Sequence, residues 1–371
     1  MSDASPTVVI HRGPAGLAQL REGWSTLGRR NPDADFFTQW DWFAAYLAHL
    51  EANPDQVRFV ELRRAGECRG VLPLRWPTPA DVAFNLPLLE LPRATGMDLA
   101  GLVLDPRERL VQWWPAIRAA LAGQGLRGFA IRAAGCLLDS RAALLDGSQS
   151  WSVARAQGHS CHFDCRLGHV ALQERYSTRL SKILRKADKG LARFGALQLE
   201  TVTDAATLRP AFDAFLGLEA SGWKGASGAA TALAFDPARR GFLEALMLGA
   251  GAGFMPEINL LRADARPLAA QLCLRRGARL SVLKIAYDAA FSRYSPGSAL
   301  LDRVLARECA TATTRSVSLV TGQPWMALWA PESTPVGDIW WFSHAPIAAL
   351  VRTWLRIRAF RFDRERSAPA A

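Results

Sequence analysis

The chain has 371 residues, of which 50% are hydrophobic and 21% charged, and this balance is typical of a folded protein rather than a disordered one. The length is sufficient for two domains of ordinary size. The longest apolar stretch, residues 242–255, is too short to cross a membrane and contains Glu244, so we expect a cytoplasmic protein. A peripheral association with the inner membrane stays open.

The net charge of +11 is concentrated in two segments of the chain. Seven lysines and arginines lie between Glu174 and Arg193, and six arginines lie between Arg352 and Arg366, each set accompanied by only two acidic residues. Such clusters attract anionic surfaces, including acidic glycans, nucleic acid and lipid headgroups, and say little about the fold. Both segments are therefore candidate binding surfaces.

Residues 1–168 have the pattern of a complete α+β unit, which we predict to be the N-terminal domain. The order is strand, helix, hairpin, strand, helix, strand, and the hairpin loop contains Gly66. We expect strands or apolar runs at 8–11, 58–63, 70–76, 86–91, 101–104 and 128–132, and helical segments at 17–27, 38–46 and 106–121.

Cysteines and histidines cluster near the end of this unit, between His159 and His169. Their spacing fits no standard zinc site. His162, Asp164 and Arg166 alternate with apolar neighbours, as they would on the two faces of a half-buried strand. We therefore expect a strand and no metal here, and we expect the six scattered cysteines of the chain to be free thiols.

A basic helix is predicted to connect the two halves within residues 169–196. An apolar stripe at spacings of three and four runs along it, and arginines and lysines occupy its other faces. A solvated surface helix and a surface that binds an acidic partner both fit this pattern. The stripe consists of Tyr176, Leu180, Ile183, Leu184, Ala187 and Leu191.

Residues 197–345 repeat the order of the first unit, which indicates one α+β unit used twice. The helix at 204–218 is capped by Thr203 or Asp204. A basic amphipathic helix and tail follow at 346–371. We expect strands at 197–202, 257–262, 268–275, 280–286 and 316–320, and helices at 204–218, 237–248 and from the turn near 296 to 310.

The turn between the strand at 280–286 and the next helix is the most informative segment for function. Ser295 can cap the new helix, and Pro296 fits its first position. The free amides of Gly297, Ser298 and Ala299 would then lie at the positive end of the helix dipole, where an anionic diphosphate is favoured. Glycine also lets the ligand approach the backbone closely. The turn therefore predicts a phosphate-binding site.

Several motifs resemble the GNAT acyltransferase superfamily, specifically its CelD/BcsL-like branch of bacterial proteins linked to cellulose and exopolysaccharide synthesis. This branch is related to the aminoacyltransferases that build peptidoglycan cross-bridges. The GNAT pyrophosphate loop is Gln/Arg, two residues, Gly, one residue, Gly/Ala; residues 294–299 match this spacing, with Tyr294 in place of the first residue. An Asp-Ser-Cys segment that is common further downstream is replaced by residues 318–325. The other matching segments are 37–40, 70–74, 180–186, 219–225, 284–288 and 293–297.

The resemblance implies tandem GNAT-like domains, each with a mixed central sheet flanked by helices, the first of which has no recognisable phosphate loop. It implies acetyl-CoA or a longer acyl-CoA as donor, without a metal. The pantetheine arm would lie along the strand that ends near Asp288, and the diphosphate would lie on loop 294–299, including Ser295. The acceptor would be an amine on a small molecule or glycan, such as a sugar intermediate of an exopolysaccharide, and transfer would be direct.

Four residues are candidates for catalysis. Attack of an amine on a thioester requires a base and a proton source for the leaving thiolate, and no covalent nucleophile. Asp288 can orient or deprotonate the amine, or it caps its own turn. Glu219 can act as the base or bind a cationic amine. Tyr287 can protonate the thiolate, but alternation along the strand places it opposite Asp288, so that only one of the two faces the cleft.

The fourth candidate, Lys284, lies in an apolar strand, where a lysine requires a partner such as Glu219 or Asp288. The resemblance implies that Trp223 and Lys224 face the acceptor. Lys224 can hold a carboxylate or phosphate, whereas Trp223 also fits a packing role. The six histidines of the chain lie outside these segments, so histidine catalysis is not expected.

Two other functions stay open from the sequence. The basic helix could bind a charged tRNA for aminoacyl transfer, in which case affinity would fall steeply with salt. The basic amphipathic segment 346–371 could instead place a non-catalytic scaffold on an anionic membrane, although its apolar face can equally pack on the second domain.

Overall fold

The structure is a computed structural model that describes residues 6–94, 99–138, 151–222, 232–249, 251 and 253–354. Within these ranges, residues 345–354 are also helical. The strands are β1 Thr7–Arg12, β2 Val57–Arg64, β3 Glu67–Arg75, β4 Val82–Ala83, β5 Leu86–Glu90, β6 Val103–Leu104, β7 Ala130–Leu137, β8 Ser152–Asp164, β9 Leu197–Val202, β10 Met255–Ala263, β11 Arg266–Arg276, β12 Arg279–Tyr287, β13 Ser316–Ser318 and β14 Glu332–Phe342. The α-helices are α1 Gly13–Gln19, α2 Arg21–Arg30, α3 Trp40–His49, α4 Leu110–Gly123, α5 His169–Arg175, α6 Thr178–Leu191, α7 Ala205–Ala220, α8 Pro237–Leu248 and α9 Pro296–Ala310.

One mixed sheet runs through the molecule, in the order β1-β2-β3-β5-β7-β14-β8-β13-β12-β11-β10-β9. Each half contributes five strands in the same spatial order, β1-β2-β3-β5-β7 and β9-β10-β11-β12-β13. In each half the last two of these strands are parallel, and the others pair with antiparallel neighbours. The predicted α+β fold, with its repeated pattern of elements, is therefore confirmed.

The two halves exchange their final strands at the centre of the sheet. β14, from the end of the second half, pairs with β7 of the first half. β8, from the end of the first half, pairs with β13 of the second half, and β8 and β14 also pair with each other. The domain boundaries predicted at 168, 196 and 345 remain predictions, but the sheet is continuous across them.

Helices cover both faces of the sheet in the second half. On one face, α7 and α8 pack over β10–β12 and meet α3 of the first half, where the rings of Trp42 and Phe242 lie 5.7 Å apart. On the other face, α6 and α9 bury an apolar core against β11–β13. The apolar stripe of α6 faces this core as predicted, since Leu180, Leu184 and Leu191 are buried.

Most predicted elements are confirmed, and the differences have local reasons. Helix α7 is capped by Asp204, whose carboxylate accepts from the amide of Ala206. Helix α4 begins at Leu110, four residues later than predicted. Strand β14 was not predicted, and Pro335 within it explains why, because proline in the middle of a sheet is rare.

The described part of the C-terminal segment packs differently from the sequence-based alternative. Ala348 and Val351 are buried against Ala130 of β7, Val153 of β8 and Phe342 of β14, so the helical residues cover the centre of the sheet and the first half rather than only the second half. Residues 355–371, which include most of its arginines, lie outside the described residues.

No helix among the described residues is both long enough and apolar enough to span a membrane. All six cysteines are free thiols, and all but Cys309 are buried. Cys161, Phe163 and Cys165 point into the core beneath α6 and α9, which confirms the half-buried strand predicted around His162.

Candidate functional site

The parallel strands β12 and β13 pair over only three residues and then separate. Their last Cα partners are Ser281 and Ser318. Immediately afterwards, the amide of Leu319 donates to the carbonyl of Cys161 on β8, so the chain after β13 turns towards β8 and away from β12. One edge of β12 from residue 282 to 287 therefore has no strand partner among the described residues. An unpaired strand edge offers amide and carbonyl groups to an extended ligand.

A β-bulge lies at the start of this open edge. On the neighbouring strand, Leu272 is opposite Lys284 and Cys273 is opposite Val282, which leaves Leu283 of β12 as the extra residue. A bulge leaves a backbone group unpaired and redirects the side chains that follow it, and it is common next to active sites. The interruption falls where the two parallel strands diverge.

The open edge leads to the turn that was predicted to bind phosphate. The turn contains a 3-10 segment, Ala289–Tyr294, and α9 begins at Pro296 as predicted. Ser295 occupies the N-cap position in the left-handed region (φ 52°), but its side chain caps no amide, which corrects the predicted capping role.

The number of free amides at this helix start is smaller than predicted. The amides of Ser298 and Ala299 both donate to the carbonyl of Ser295. Gly297 is the remaining amide in this first turn, since proline has no N–H. The predicted phosphate site thus consists of one amide without a backbone acceptor and the helix dipole, rather than three amides in a row.

A basic groove lies beside the same turn, between α6 and Tyr294. Its volume is about 440 Å³. The charged side chains of the groove project from the exposed face of α6 and from the residues just after it, so the basic helix faces the phosphate turn rather than only bulk solvent. The groove is lined by Lys182, Arg185, Lys186, Lys189, Gly190, Arg193 and Tyr294.

The predicted catalytic residues lie near the open edge, but both carboxylates among them, Glu219 and Asp288, have structural partners. Glu219, which is buried at the end of α7, lies 3.5 Å from the ammonium of Lys284 and accepts from the amide of Leu233. The predicted pairing of Lys284 with Glu219 is therefore observed. Their roles in catalysis remain predictions.

Asp288 has two partners as well. Its carboxylate accepts from the amide of Ala290, which is the turn-capping alternative, and from Arg266 at 2.7 Å. Tyr287 is exposed and its ring edge lies close to Gly297, at the phosphate end of the open edge. The predicted acceptor residues Trp223 and Lys224 lie outside the described residues.

Residues 178–324 match the family described as an acetyltransferase (GNAT) domain. The fold is the GNAT fold. The matched range contains the basic helix, the open edge of β12, the phosphate turn and α9. None of the curated proteins in the comparison matches the sequence.

Solved structures with a similar fold extend over nearly the whole chain. The crystal structure of FemX has a TM-score of 0.57 at 11% identity and covers 90% of this chain and 98% of its own. A domain described as the C-terminal (DUF2156) part of a lysylphosphatidylglycerol synthetase from Agrobacterium fabrum has a TM-score of 0.54 at 13% identity, covering 90% and 94%. A conserved protein of unknown function from Bacteroides thetaiotaomicron has a TM-score of 0.51 at 11% identity, covering 88% and 97%. At these identities the likeness concerns the fold alone.

A second pocket lies on the opposite face of the central strands, between residues 33–36 of the first half and strands β8, β12, β13 and β14. Its volume is about 260 Å³. Asp35 of the first half reaches across and binds Arg279 of β12 at 2.6 Å. His162 of β8 lines the same pocket, with its Nε2 atom 3.3 Å from the carboxylate of Glu332 on β14. This pocket was not predicted from the sequence, because its residues come together only when β8 and β14 lie beside β13.

The turn before α9 packs closely against α6 through Tyr294, which gives a testable prediction. A Cβ atom at Gly190 of α6 would lie 2.3 Å from the ring of Tyr294. We expect Gly190→Ala to displace the tyrosine and lower the affinity for an anionic ligand at the turn by roughly tenfold, since one weakened hydrogen bond to a charged group accounts for about 1.5 kcal/mol.

The control for this prediction is Gly217→Ala in α7, where an added methyl group meets nothing within 4 Å. This second change should leave affinity intact and stabilise the helix slightly. Calorimetric titration with acetyl-CoA measures both variants. Equal affinity of the two would show that the Tyr294 contact does not position the turn.

Proposed function

We propose that the protein transfers an acetyl or longer acyl group from acyl-CoA to an amine acceptor. The observation that carries this proposal is the separation of β12 from β13, which leaves a free strand edge that leads directly to the start of α9 and the basic groove. A pantetheine arm has amide groups that can pair with such an edge, and its diphosphate would then reach Gly297.

The basic groove supplies more of the affinity than the helix start. An anion at an exposed helix N-terminus gains about 0.3–1 kcal/mol. Each hydrogen bond between a charged side chain and a phosphate contributes about 1.5–3 kcal/mol. With one free amide at Gly297, we propose that lysines and arginines of α6 hold the phosphates of the donor, which makes the basic helix part of the cofactor site.

The chemistry that this arrangement supports is direct attack of the amine on the thioester. A covalent acyl-enzyme would need a reactive thiol or hydroxyl near the bulge. Burial raises the pKa of the Cys273 thiol, which lies opposite Val282 at the bulge, so this thiol is protonated and unreactive at neutral pH. The acceptor is proposed to be an amino group of a sugar intermediate, following the resemblance to the CelD/BcsL-like branch.

The groove also favours one second candidate, transfer of an aminoacyl group from a charged tRNA. Five cations in a row on one surface fit a nucleic-acid backbone as well as the phosphates of a single nucleotide. The two donors differ in salt dependence. A protein that contacts several phosphates of an RNA loses affinity by a far larger factor between low and high salt than one that binds a single nucleotide.

A membrane-surface role rests on a separate part of the molecule. Leu350 and Trp354 are 70% and 48% exposed on the helical residues 345–354, while Ala348 and Val351 are buried. Pelleting with anionic liposomes tests this role: replacing Leu350 and Trp354 by serine should abolish association without disturbing the buried face. Unchanged pelleting would contradict it.

Calorimetric titration with acetyl-CoA, longer acyl-CoA species and CoA without its 3′-phosphate tests the proposed function. We expect micromolar binding of acetyl-CoA and weaker binding of the dephosphorylated form. The double variant Lys186→Gln/Lys189→Gln should bind at least roughly tenfold more weakly, whereas Arg118→Gln, which removes an exposed cation of α4, should not. Failure of the unmodified protein to bind any acyl-CoA, together with salt-sensitive binding of tRNA, would support the second candidate instead.

A further inference from the structure

We infer that the acceptor amine enters the polar pocket on the opposite face of the sheet, and that His162, oriented by Glu332, removes its proton. The inference rests on the acyl transfer proposed above and names the acceptor site and the base of that reaction. It replaces Asp288 and Glu219, the carboxylates favoured by the sequence.

The position of His162 follows from strand register. Ser281 and Ser318 are the last partners before β12 and β13 separate, and His162 is the Cα partner of Ser318 on the next strand. Neighbouring strands lie about 4.8 Å apart. His162 is therefore one strand away from the point where the sheet opens, which is where an arm lying along β12 would present its thioester.

The direction of the side chain follows from burial. Cys161 and Phe163 are buried in the core beneath α6 and α9. Successive side chains of a strand point to opposite faces, so His162 points away from that core. It lines the pocket together with Ser281 and Ser316, and it is 30% exposed. Donor and base thus approach the opening from opposite faces of one sheet.

The contact with Glu332 favours one tautomer of His162. Nε2 lies 3.3 Å from a carboxylate oxygen in an ion-pair contact, and a lone pair on Nε2 would be repelled by that oxygen, so we assign the proton of the neutral ring to Nε2. Nδ1 is then the unprotonated nitrogen and can accept a proton from an incoming ammonium group. The other oxygen of Glu332 lies 3.6 Å from Arg175 of α5, which holds the carboxylate in place.

The carboxylates predicted from sequence are less suited to this role. Glu219 is 5% exposed and is occupied by Lys284 and by the amide of Leu233. Asp288 is occupied by Arg266 and lies at the phosphate end of β12. Neither carboxylate lines the polar pocket.

Charge and size define the class of acceptor. A pocket of about 260 Å³ is smaller than the 300–1,000 Å³ that is usual for drug-sized ligands, so it fits an amine of about monosaccharide size. Asp33 at the rim attracts an ammonium group. Arg315 at the other side is exposed and has no ion-pair partner among the described residues, so it can hold a hydroxyl or an acidic group of the same molecule.

The proton and electron transfers balance without a further reagent. The ammonium form of the acceptor gives one proton to Nδ1 of His162, which later releases it to solvent. The amine nitrogen then forms a bond to the thioester carbon, and the carbon–sulfur bond breaks. The second proton lost by the nitrogen goes to the thiolate, which gives an amide and free CoA.

Release of CoA from acetyl-CoA in the presence of glucosamine tests the inference, with the complete chain. General-base catalysis contributes about 10²–10⁴-fold, so we expect His162→Ala to lower kcat/KM for glucosamine by at least about 100-fold while acetyl-CoA binding is retained. Added imidazole should restore part of the rate, which loss of a merely structural residue would not allow. Glu332→Gln should lower the rate less, because its amide oxygen can still accept from Nε2.

The matched control is His169→Ala. His169 also contacts a carboxylate, that of Asp302 at 3.0 Å, but it lies on α5 outside the pocket. The His169→Ala variant should keep normal activity. Full activity of His162→Ala, a loss that imidazole does not restore, or the absence of glucosamine-dependent turnover by the unmodified protein would each overturn the inference. Acetyl-CoA binding measured in parallel separates these results from a failure of the proposed function, because only the latter abolishes donor binding by the unmodified protein.

Discussion

Gly297→Trp is expected to weaken binding of acetyl-CoA by more than about 100-fold, equivalent to about 2.7 kcal/mol. The indole would cover the start of α9, where Gly297 supplies the remaining free amide of the first turn, and would keep the diphosphate from the helix dipole and from the groove. Two lost contacts to a charged group account for this magnitude. Calorimetric titration at low and moderate salt measures the effect.

The control is Gly297→Ala. A Cβ atom at this position would lie 3.5 Å from Ile285 and from Tyr287, which is an ordinary contact. Affinity should fall only slightly, and both variants should keep the thermal midpoint of the unmodified protein. Unchanged affinity of Gly297→Trp would show that the donor does not bind at this turn.

Arg275→Met is expected to lower the free energy of unfolding by about 3 kcal/mol. Arg275 on β11 lies 2.8 Å from Glu257 of β10 and 2.9 Å from Glu308 of α9, and both carboxylates are nearly inaccessible to solvent. Removing one partner of a buried ion pair costs about 3–5 kcal/mol, because the remaining charge stays buried. The lower end applies here, since Arg307 also contacts both carboxylates. Thermal unfolding followed by circular dichroism measures the loss.

The comparison for this variant is Arg303→Met, which removes a surface ion pair between Arg303 of α9 and Asp188 of α6. An exposed pair contributes about 0–1 kcal/mol, so its loss should be small. A similar midpoint for both variants would show that the buried network does not stabilise the fold.

The same network has a pH dependence with a defined sign. Burial alone would raise the pKa of Glu308, but hydrogen bonds from Arg275 and Thr314 outweigh it and hold the pKa below its usual value. A carboxyl group with a depressed folded-state pKa stabilises the protein above its unfolded pKa of about 4.3. This contribution is lost as the pH falls below that value through the folded-state pKa, and Arg275→Met should reduce it.

The parts of the fold that were predictable from sequence are those specified by local pattern. Strand β12, its turn and helix α9 follow one another within about thirty residues, and each has its own signal: an apolar run, Pro296 at the first helical position, and apolar spacing beyond it. The basic helix α6 has an unbroken stripe at helical spacing. These elements occur where they were predicted because local propensity and tertiary packing favour the same structure.

The centre of the molecule was not predictable in the same way. Pro335 and Gly337 interrupt β14, and a sequence pattern with both argues against a central strand. The structure accommodates them through irregular register between β14 and β8 near Val336. Side-chain packing against the aromatic end of the strand, Trp341 and Phe342, compensates for the weak local signal.

The same contrast between local and long-range signals applies to the candidate site. The phosphate turn is local and was predicted, although the capping of Ser298 and Ala299 depends on backbone geometry that residue types do not specify. The polar pocket joins Asp35, His162, Arg279 and Glu332, which are up to about 300 residues apart in sequence. The carboxylates near the turn could be predicted as candidates because they lie within local motifs, whereas the residues of the polar pocket become neighbours only across the sheet.

The exchange of β8 and β14 has a consequence for how the chain folds. Arg132 of β7 pairs with Trp340 of β14, a separation of more than two hundred residues. During synthesis, the first half can form its five strands and helices, but the inner edge of β7 stays open until almost the whole second half has been made. Contacts of such long range slow folding, and an unpaired edge invites association with other chains. A truncated product that ends before β14 should therefore be prone to aggregation, and it would also lack Ile339 and Trp341, which complete the apolar core of the first half.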